Sequence, residues 1–354
     1  MRDITVLITG IGAPGAPGIV KSIRKNGERN IKIIGVDTNF DASGKDLVDE
    51  FYEIPPAEDS KFIDGIMKIC KKEKVDIIQP LVTRELLKFA KYKDYFNNSN
   101  IIVNVMDEKN LKIANNKGKL LSTLRQKGIP TPEFYITNKI EDIEKAFNEL
   151  GYPDKPVCIK VTDSNGSRGV RIVDPSFSKA KLFFNSKPSS LYISYDELIK
   201  TLEECKELPE MIVMEYLPGE EYSVDILADN GNVIYSVCRR GTTVVSGIQL
   251  VCVVERQDYI INECENICNV LNLSGNFGLD IKENRFGVPL VMEINPRLTA
   301  GIVACVAAGI NLPYFGIKQA LREEIPICDI DYGTKMLRRW EEIFLDINDD
   351  IVNW

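Results

Sequence analysis

Within its first hundred residues this chain alternates short, almost wholly apolar runs with stretches of helical period, and that alternation admits few folds. The runs lie at residues 4–9, 31–36, 75–81 and 101–105. Between them, residues 19–26 read as helix, and residues 63–72 repeat apolar side chains through Ile63, Ile66, Met67, Ile69 and Cys70. Buried strands separated by helices predict a parallel, doubly wound α/β sheet, with the unit ending near Met106.

The first strand runs into Gly10, Gly12 and Gly15, which satisfy a G-x-G-x-x-G spacing, and Asp37 ends the second strand. That pattern alone reads as a dinucleotide fingerprint, with pyrophosphate on a helix N-terminus and the acid on a ribose. Pro14 and Pro17, however, remove backbone donors from the loop that would have to cradle phosphate. A tight strand-to-helix turn is the preferred reading, with an NAD-dependent oxidoreductase as the rival.

The second half carries different signals. Residues 107–127 read as one lysine-rich helix stopped by Gly128, Pro130 and Pro132. Strands are expected at 157–161, 211–215, 222–228 and 233–238, and helices at 140–150, 195–204 and 259–271. Residues 174–191 show no period and read as a loop or insertion. Lys160 ends an apolar strand and can set a point charge on a phosphate. Residues 165–170 follow it, a small-residue hairpin loop whose amides could close over phosphates or merely turn the chain. Glu215-Tyr216-Leu217-Pro218-Gly219-Glu220-Glu221 breaks one strand and resumes as another. Backbone groups exposed at such a break can pair with an adenine edge, and Glu221 can accept from ribose hydroxyls.

Residues 290–294 read as a strand, so Glu293 and Asn295, two apart, share one face, and Asp280 sits on a preceding strand across the turn at 284–287. All three are hard oxygen ligands, which suits Mg²⁺ and suits zinc or copper poorly. A surface carboxylate pair is the alternative.

The chain contains no histidine, which excludes Ser-His-Asp and Cys-His catalysis and imidazole ligands. Its nine cysteines lie mostly in apolar segments, as free core thiols do. A net charge of −8 argues against general nucleic-acid binding. No apolar run approaches eighteen residues and no signal peptide is read, so a cytoplasmic protein without membrane contact is expected.

The order Lys117, Lys160, Gly-Ser-Arg-Gly at 166–169, Glu-Tyr-Leu-Pro-Gly-Glu-Glu at 215–221, Asp280 and Glu-Ile-Asn-Pro-Arg at 293–297 resembles the ATP-grasp superfamily. Within it the chain looks most like the stand-alone carboxylate–amine ligases related to the carbamoyl phosphate synthase large subunit. The resemblance implies a pre-grasp α/β domain (1–106), a small ATP-grasp lobe (107–195), a large lobe with the metal site (196–325) and a C-terminal tail (326–354). It implies ATP phosphates held by Lys117 and Lys160 under Gly166, Ser167, Arg168 and Gly169. Glu215 and Leu217 would flank the adenine, and Glu221 would hold the ribose. Asp280, Glu293 and Asn295 would bind two Mg²⁺, with Mn²⁺ as a substitute, and Arg297 would face the transferred phosphate or the acyl substrate.

The implied reaction joins a small-molecule carboxylate to an amine through an acylphosphate, releasing ADP, with a homodimer as the candidate assembly. Phosphorylation of bicarbonate or carbamate is the alternative. Arg239 and Arg240 are candidates for gripping the carboxylate bidentately, or else lie at a solvated strand end. Arg84 and Glu85 follow a strand of the first unit, where open sheets bind ligands, and a helix-start ion pair fits them equally.

Overall fold

A computed structural model describes residues 1–164, 166, 168–176, 178–185, 191–245, 247–347 and 352. The chain divides into two compact units. The first comprises residues 1–112, 222–279 and 294–354, the second residues 113–221 and 280–293.

In the first unit, β1 (Ile4–Thr9), β2 (Ile31–Asp37), β3 (Glu50–Glu53), β4 (Ile77–Gln79) and β5 (Ile102–Val103) form a parallel sheet in the order β3-β2-β1-β4-β5. Strand β1 is central, with Val6 opposite Ile33 on one side and Ile77 on the other. Helix α1 (Ala16–Arg24) buries Ile19, Val20 and Ile23, and α2 (Phe62–Glu73) buries Ile63, Ile66, Met67 and Cys70. Those side chains recur every three or four residues, so each helix presents one stripe to a core. At about 1.5–3 kcal/mol per buried large aliphatic side chain, such stripes outweigh the modest intrinsic stability of helices this short. The doubly wound sheet read from the sequence is therefore present. The strand order reverses between β1 and β4, and α3 (Thr83–Lys91) starts just after β4.

The second unit holds an antiparallel sheet of β6 (Phe134–Thr137), β7 (Val157–Val161), β8 (Val170–Val173) and β9 (Met211–Glu215), ordered β6-β9-β7-β8. Its core gathers Ile143, Phe147, Val157, Ile159, Leu198 and Val213. A third sheet is ordered β14-β13-β10-β11-β12-β15, from β10 (Glu221–Asp229), β11 (Asn232–Val245), β12 (Ile248–Val254), β13 (Gly275–Glu283), β14 (Pro289–Asn295) and β15 (Lys335–Leu337).

Three expectations change. The single helix expected over 107–127 is two, Glu108–Ala114 and Lys117–Gln126, because Asn116 leaves helical geometry and its side chain accepts from the Lys119 amide at 2.8 Å. The stretch 174–191, read as a loop or insertion, contains a helix at Lys179–Asn185, and an isolated parallel bridge from Ile172 to Tyr192 flanks it on both sides. Strand β11 runs to Val245, seven residues beyond the expected end.

The glycine loop is a packing device. A Cβ on Gly15 would stand 2.7 Å from the Ala300 Cα, and one on Gly18 would collide with Val303. Asp37 does not wait for a ribose, since its carboxylate accepts from the Gly12 amide at 2.9 Å and from the Asn39 amide.

Candidate active site

Two lysines define the site in the second unit. Lys160 is 7% exposed, held on β7 between Ile212 of β9 and Val170 of β8. Among the described residues its ammonium meets no carboxylate. Its one polar neighbour is the Met292 thioether, 4.0 Å away. A buried cation with so poor a partner is costly unless an anion joins it. Lys117 is 9% exposed and opens the helix Lys117–Gln126. Its Nζ donates to the Ser164 carbonyl at 2.6 Å and pairs with Glu293 Oε2 at 3.1 Å.

The hairpin β13–β14 supplies the acids. Asn284 closes its turn, accepting backbone and side-chain hydrogen bonds from Phe286, Gly287 and Val288. Asp280 and Glu293 lie on the neighbouring strands of that hairpin. Asn295, two residues beyond Glu293 on β14, is on the same strand face by alternation but is counted with the first unit, so only Asp280 and Glu293 lie together in the second. The donor set is oxygen only, and Glu293 already holds the Lys117 ammonium as a tethered cation. These residues fit Mg²⁺ or Mn²⁺ and would suit a thiophilic metal poorly.

The other nucleotide candidates fall in the same unit. Gly166 (φ +64°) and Gly169 (φ +67°) take left-handed backbone at the β7–β8 turn, and a Cβ on Gly169 would press 2.8 Å from the Val161 side chain. Arg168 is exposed there, its carbonyl accepting from the Ser164 hydroxyl at 2.8 Å. Ser167 lies outside the described residues. Glu215 ends β9 and accepts from the Glu133 amide at 3.1 Å, so its carboxylate is anchored to β6 rather than open. Leu217 is buried, and no described residue hydrogen-bonds its backbone amide or carbonyl, a pair of groups suited to the edge of a base. Glu221 begins β10, half-buried.

Two neighbours escaped the sequence reading. Lys282, two residues after Asp280, lies 5.7 Å from the ring centroid of Tyr216, and Met292 touches Lys160. Alternation along β13 and β14 was the available signal for both.

The remaining candidates belong to the first unit. Arg297 donates from Nε to the Thr83 hydroxyl at 3.2 Å and from Nη1 to the Leu298 carbonyl at 2.9 Å. Arg239 corrects an expectation. It is 1% exposed, and its guanidinium binds Asp225 at 2.7 Å, Gln249, and the Thr299 hydroxyl at 3.2 Å. Burial opposes its charge and the Asp225 carboxylate overrides that, holding its pKa above the ordinary value. It is an internal strut, not a grip for substrate. Arg240 is half-buried and spent on Glu255 at 2.8 Å. Arg84 is exposed on α3. Glu85 is 4% exposed and accepts from the Thr9 hydroxyl, so no ion pair with Arg84 forms. Burial, with Asp37 and Glu58 nearby, pushes its carboxyl up to about 7 against the Thr9 hydrogen bond.

Comparison with known proteins bears on the fold. A family model described as ATP-grasp in the biosynthetic pathway with Ter operon matches residues 207–337, and one described as PylC-like, N-terminal domain matches residues 6–104. No curated protein matches the chain significantly. Among solved structures, the biotin carboxylase domain of Hydrogenobacter thermophilus 2-oxoglutarate carboxylase, in complex with MgADP, ADP and bicarbonate, superposes with a TM-score of 0.68 at 16% identity, over 93% of this chain and 72% of that one. The ADP complex of N5-carboxyaminoimidazole synthetase from Staphylococcus aureus gives 0.66 at 17%, over 93% and 80%. The L-amino acid ligase from Bacillus licheniformis gives 0.65 at 17%, over 91% and 75%. At these identities the likeness is one of fold.

Proposed function

We propose that this chain is an ATP-grasp protein and an ADP-forming carboxylate–amine ligase, a reading supported by the ATP-grasp family match over residues 207–337. A substrate carboxylate oxygen attacks the γ-phosphorus of ATP, ADP leaves, and an amine then attacks the acyl carbon and expels phosphate. The reading is carried by the Lys160 ammonium, buried on a strand with no carboxylate beside it among the described residues, in the same unit as Lys117 and the Asp280–Glu293 hairpin.

Lys117 and Lys160 hold the phosphates as point charges, and Gly166, Ser167, Arg168 and Gly169 cover them. The Leu217 backbone reads the adenine edge beside Glu215, and Glu221 takes the ribose. Asp280, Glu293 and Asn295 would hold Mg²⁺, which would supply neutralisation of the charge on the phosphate oxygens. Arg297 faces the acyl group. With no histidine in the chain, the amine proton passes to a carboxylate, to the departing phosphate or to water. No helix among the described residues is long and apolar enough to cross a membrane.

An ADP-release screen pairing carboxylic acids, amino acids and small amines with Mg-ATP is the test. Release that requires both an acid and an amine supports the ligase. Release driven by bicarbonate alone would move the assignment to carbamoyl-phosphate-type phosphorylation.

A further inference from the structure

Strand β15 leaves one edge of its sheet open. It pairs with β12 alone, Leu337 opposite Val251, and it ends the strand order. The backbone bonds around it fall on even-numbered residues. The Thr334 carbonyl accepts from the Val254 amide at 2.9 Å, and the Arg338 amide donates to the Leu250 carbonyl at 2.8 Å. Farther on, the Phe344 carbonyl accepts from the Val352 amide at 2.9 Å. Antiparallel alternation therefore turns the amide and carbonyl of Leu337 away from β12, toward the open edge. Among the described residues no backbone partner reaches Arg339, Glu341 or Ile343 either, and residues 338–344 belong to no helix, turn or strand.

The side chains on this edge follow a mirrored order. Residues 337–343 read Leu337-Arg338-Arg339-Trp340-Glu341-Glu342-Ile343, apolar at both ends and at the centre, with two cations before the tryptophan and two anions after it. Leu337 is 70% exposed and Trp340 82%, and Arg339, Glu341, Glu342 and Ile343 are exposed as well. Neither Arg339 nor Glu341 makes an ion pair among the described residues. The Arg338 guanidinium donates to the Pro14 carbonyl at 3.2 Å and to the Ala300 carbonyl at 2.7 Å, which pins the start of the segment to its own unit. Charge along a free edge ordinarily keeps other strands away. Here the signs invert about Trp340, so a copy laid antiparallel across a two-fold axis meets opposite charge at every charged position.

We propose that residues 335–343 pair with the same segment of a second copy of this chain, continuing the sheet across a two-fold axis into a homodimer. Leu337 then lies opposite the partner's Ile343, Arg339 opposite the partner's Glu341, and Trp340 opposite the partner's Trp340. The open-edge amides and carbonyls of Leu337, Arg339, Glu341 and Ile343 bond across the axis, and each contact occurs twice, as an isologous interface requires. Seven residues a side are fewer than the about 20–30 of a standard interface, so the dimer dissociates on dilution.

Sedimentation velocity of the full chain from about 1 μM to 1 mM tests this. The parent should pass from a 39.9 kDa monomer toward twice that mass as concentration rises. Arg339→Glu and Glu341→Arg should each raise the dimer dissociation constant tenfold or more, since each sets like charges opposite one another. Both positions are exposed, so circular dichroism and unfolding midpoints should stay as in the parent. Mixed in equal amounts, the two variants should recover the dimer, because each then meets the opposite sign on the other chain. The doubly exchanged chain, Arg339→Glu with Glu341→Arg, should dimerise like the parent. A parent that stays monomeric throughout, single variants that dimerise as the parent does, or a mixture that stays monomeric would each overturn the proposal.

Discussion

Asp225 and Arg239 show what a fully buried ion pair demands of its surroundings. Thr299 donates to Asp225 at 2.6 Å and Gln249 accepts from Arg239, so the charges are nearly saturated inside the protein. Removing one partner leaves the other uncompensated, and Asp225→Ala should cost about 3–5 kcal/mol in urea unfolding. Glu255→Ala, which unpairs the half-exposed Arg240, should cost about 1 kcal/mol or less. Glu85 carries the opposite sign. Its carboxyl is raised in the folded state, so the native protein binds more protons than the unfolded chain between 4.5 and about 7. Stability contributed there falls as pH rises through that window, by about 3 kcal/mol in total. Glu85→Gln should flatten this slope and gain relative to the parent at pH 8, as unfolding midpoints across pH 5 to 8 would show. At Glu293, replacement by Gln keeps volume and removes a charge facing Lys117. ADP release should drop by about a hundredfold or more with the circular dichroism unchanged. Parental activity in a folded variant would move the metal elsewhere.

At the scale of the element, Asn116 is a hinge in covalent terms, ending one helix and capping the next. Asn116→Ala should destabilise by about 1 kcal/mol and raise the KM for ATP, because Lys117 is the first residue of the helix it caps. An unchanged KM would detach Lys117 from the phosphates. This break explains a misreading. Lysine and leucine spacing carried a helical period straight through residues 107–127, and only the Asn115–Asn116 pair signalled the interruption. Strands with apolar cores, such as β1, β2, β7 and β9, were legible because burial demands continuous or alternating apolar side chains. Strand β3 was not, since its Glu50 and Glu53 are exposed and its pairing is supplied by β2 at a sheet edge. Lys160 and Glu293 stood out as single polar residues in apolar strands. Arg239 stood out as one of an arginine pair at a strand end, and misled. Its partner Asp225 lies fourteen residues upstream on another strand, a pairing that no local pattern declares.

For the whole molecule, ligand preference separates the two readings of the N-terminal glycines. Mg-ATP at a hundred times its dissociation constant should stabilise the protein by about 2.7 kcal/mol, an effect that EDTA reduces. NAD should give no shift, given that Gly12 already occupies the Asp37 carboxylate and Gly15 and Gly18 lie against residues 300 and 303. A thermal-shift series with both nucleotides decides it, and a shift with NAD alone would restore the oxidoreductase. The division into units also sets a rule for cutting the gene. The chain passes from one unit to the other at 112, 221, 279 and 293, so the second unit is assembled from two separated pieces. A fragment spanning 113–221 would keep Lys117 and Lys160 yet lack the piece that bears Asp280, Met292 and Glu293. It would carry the phosphate lysines stripped of their acidic counterweight, and only a fusion that sews 280–293 back onto it could restore the pair.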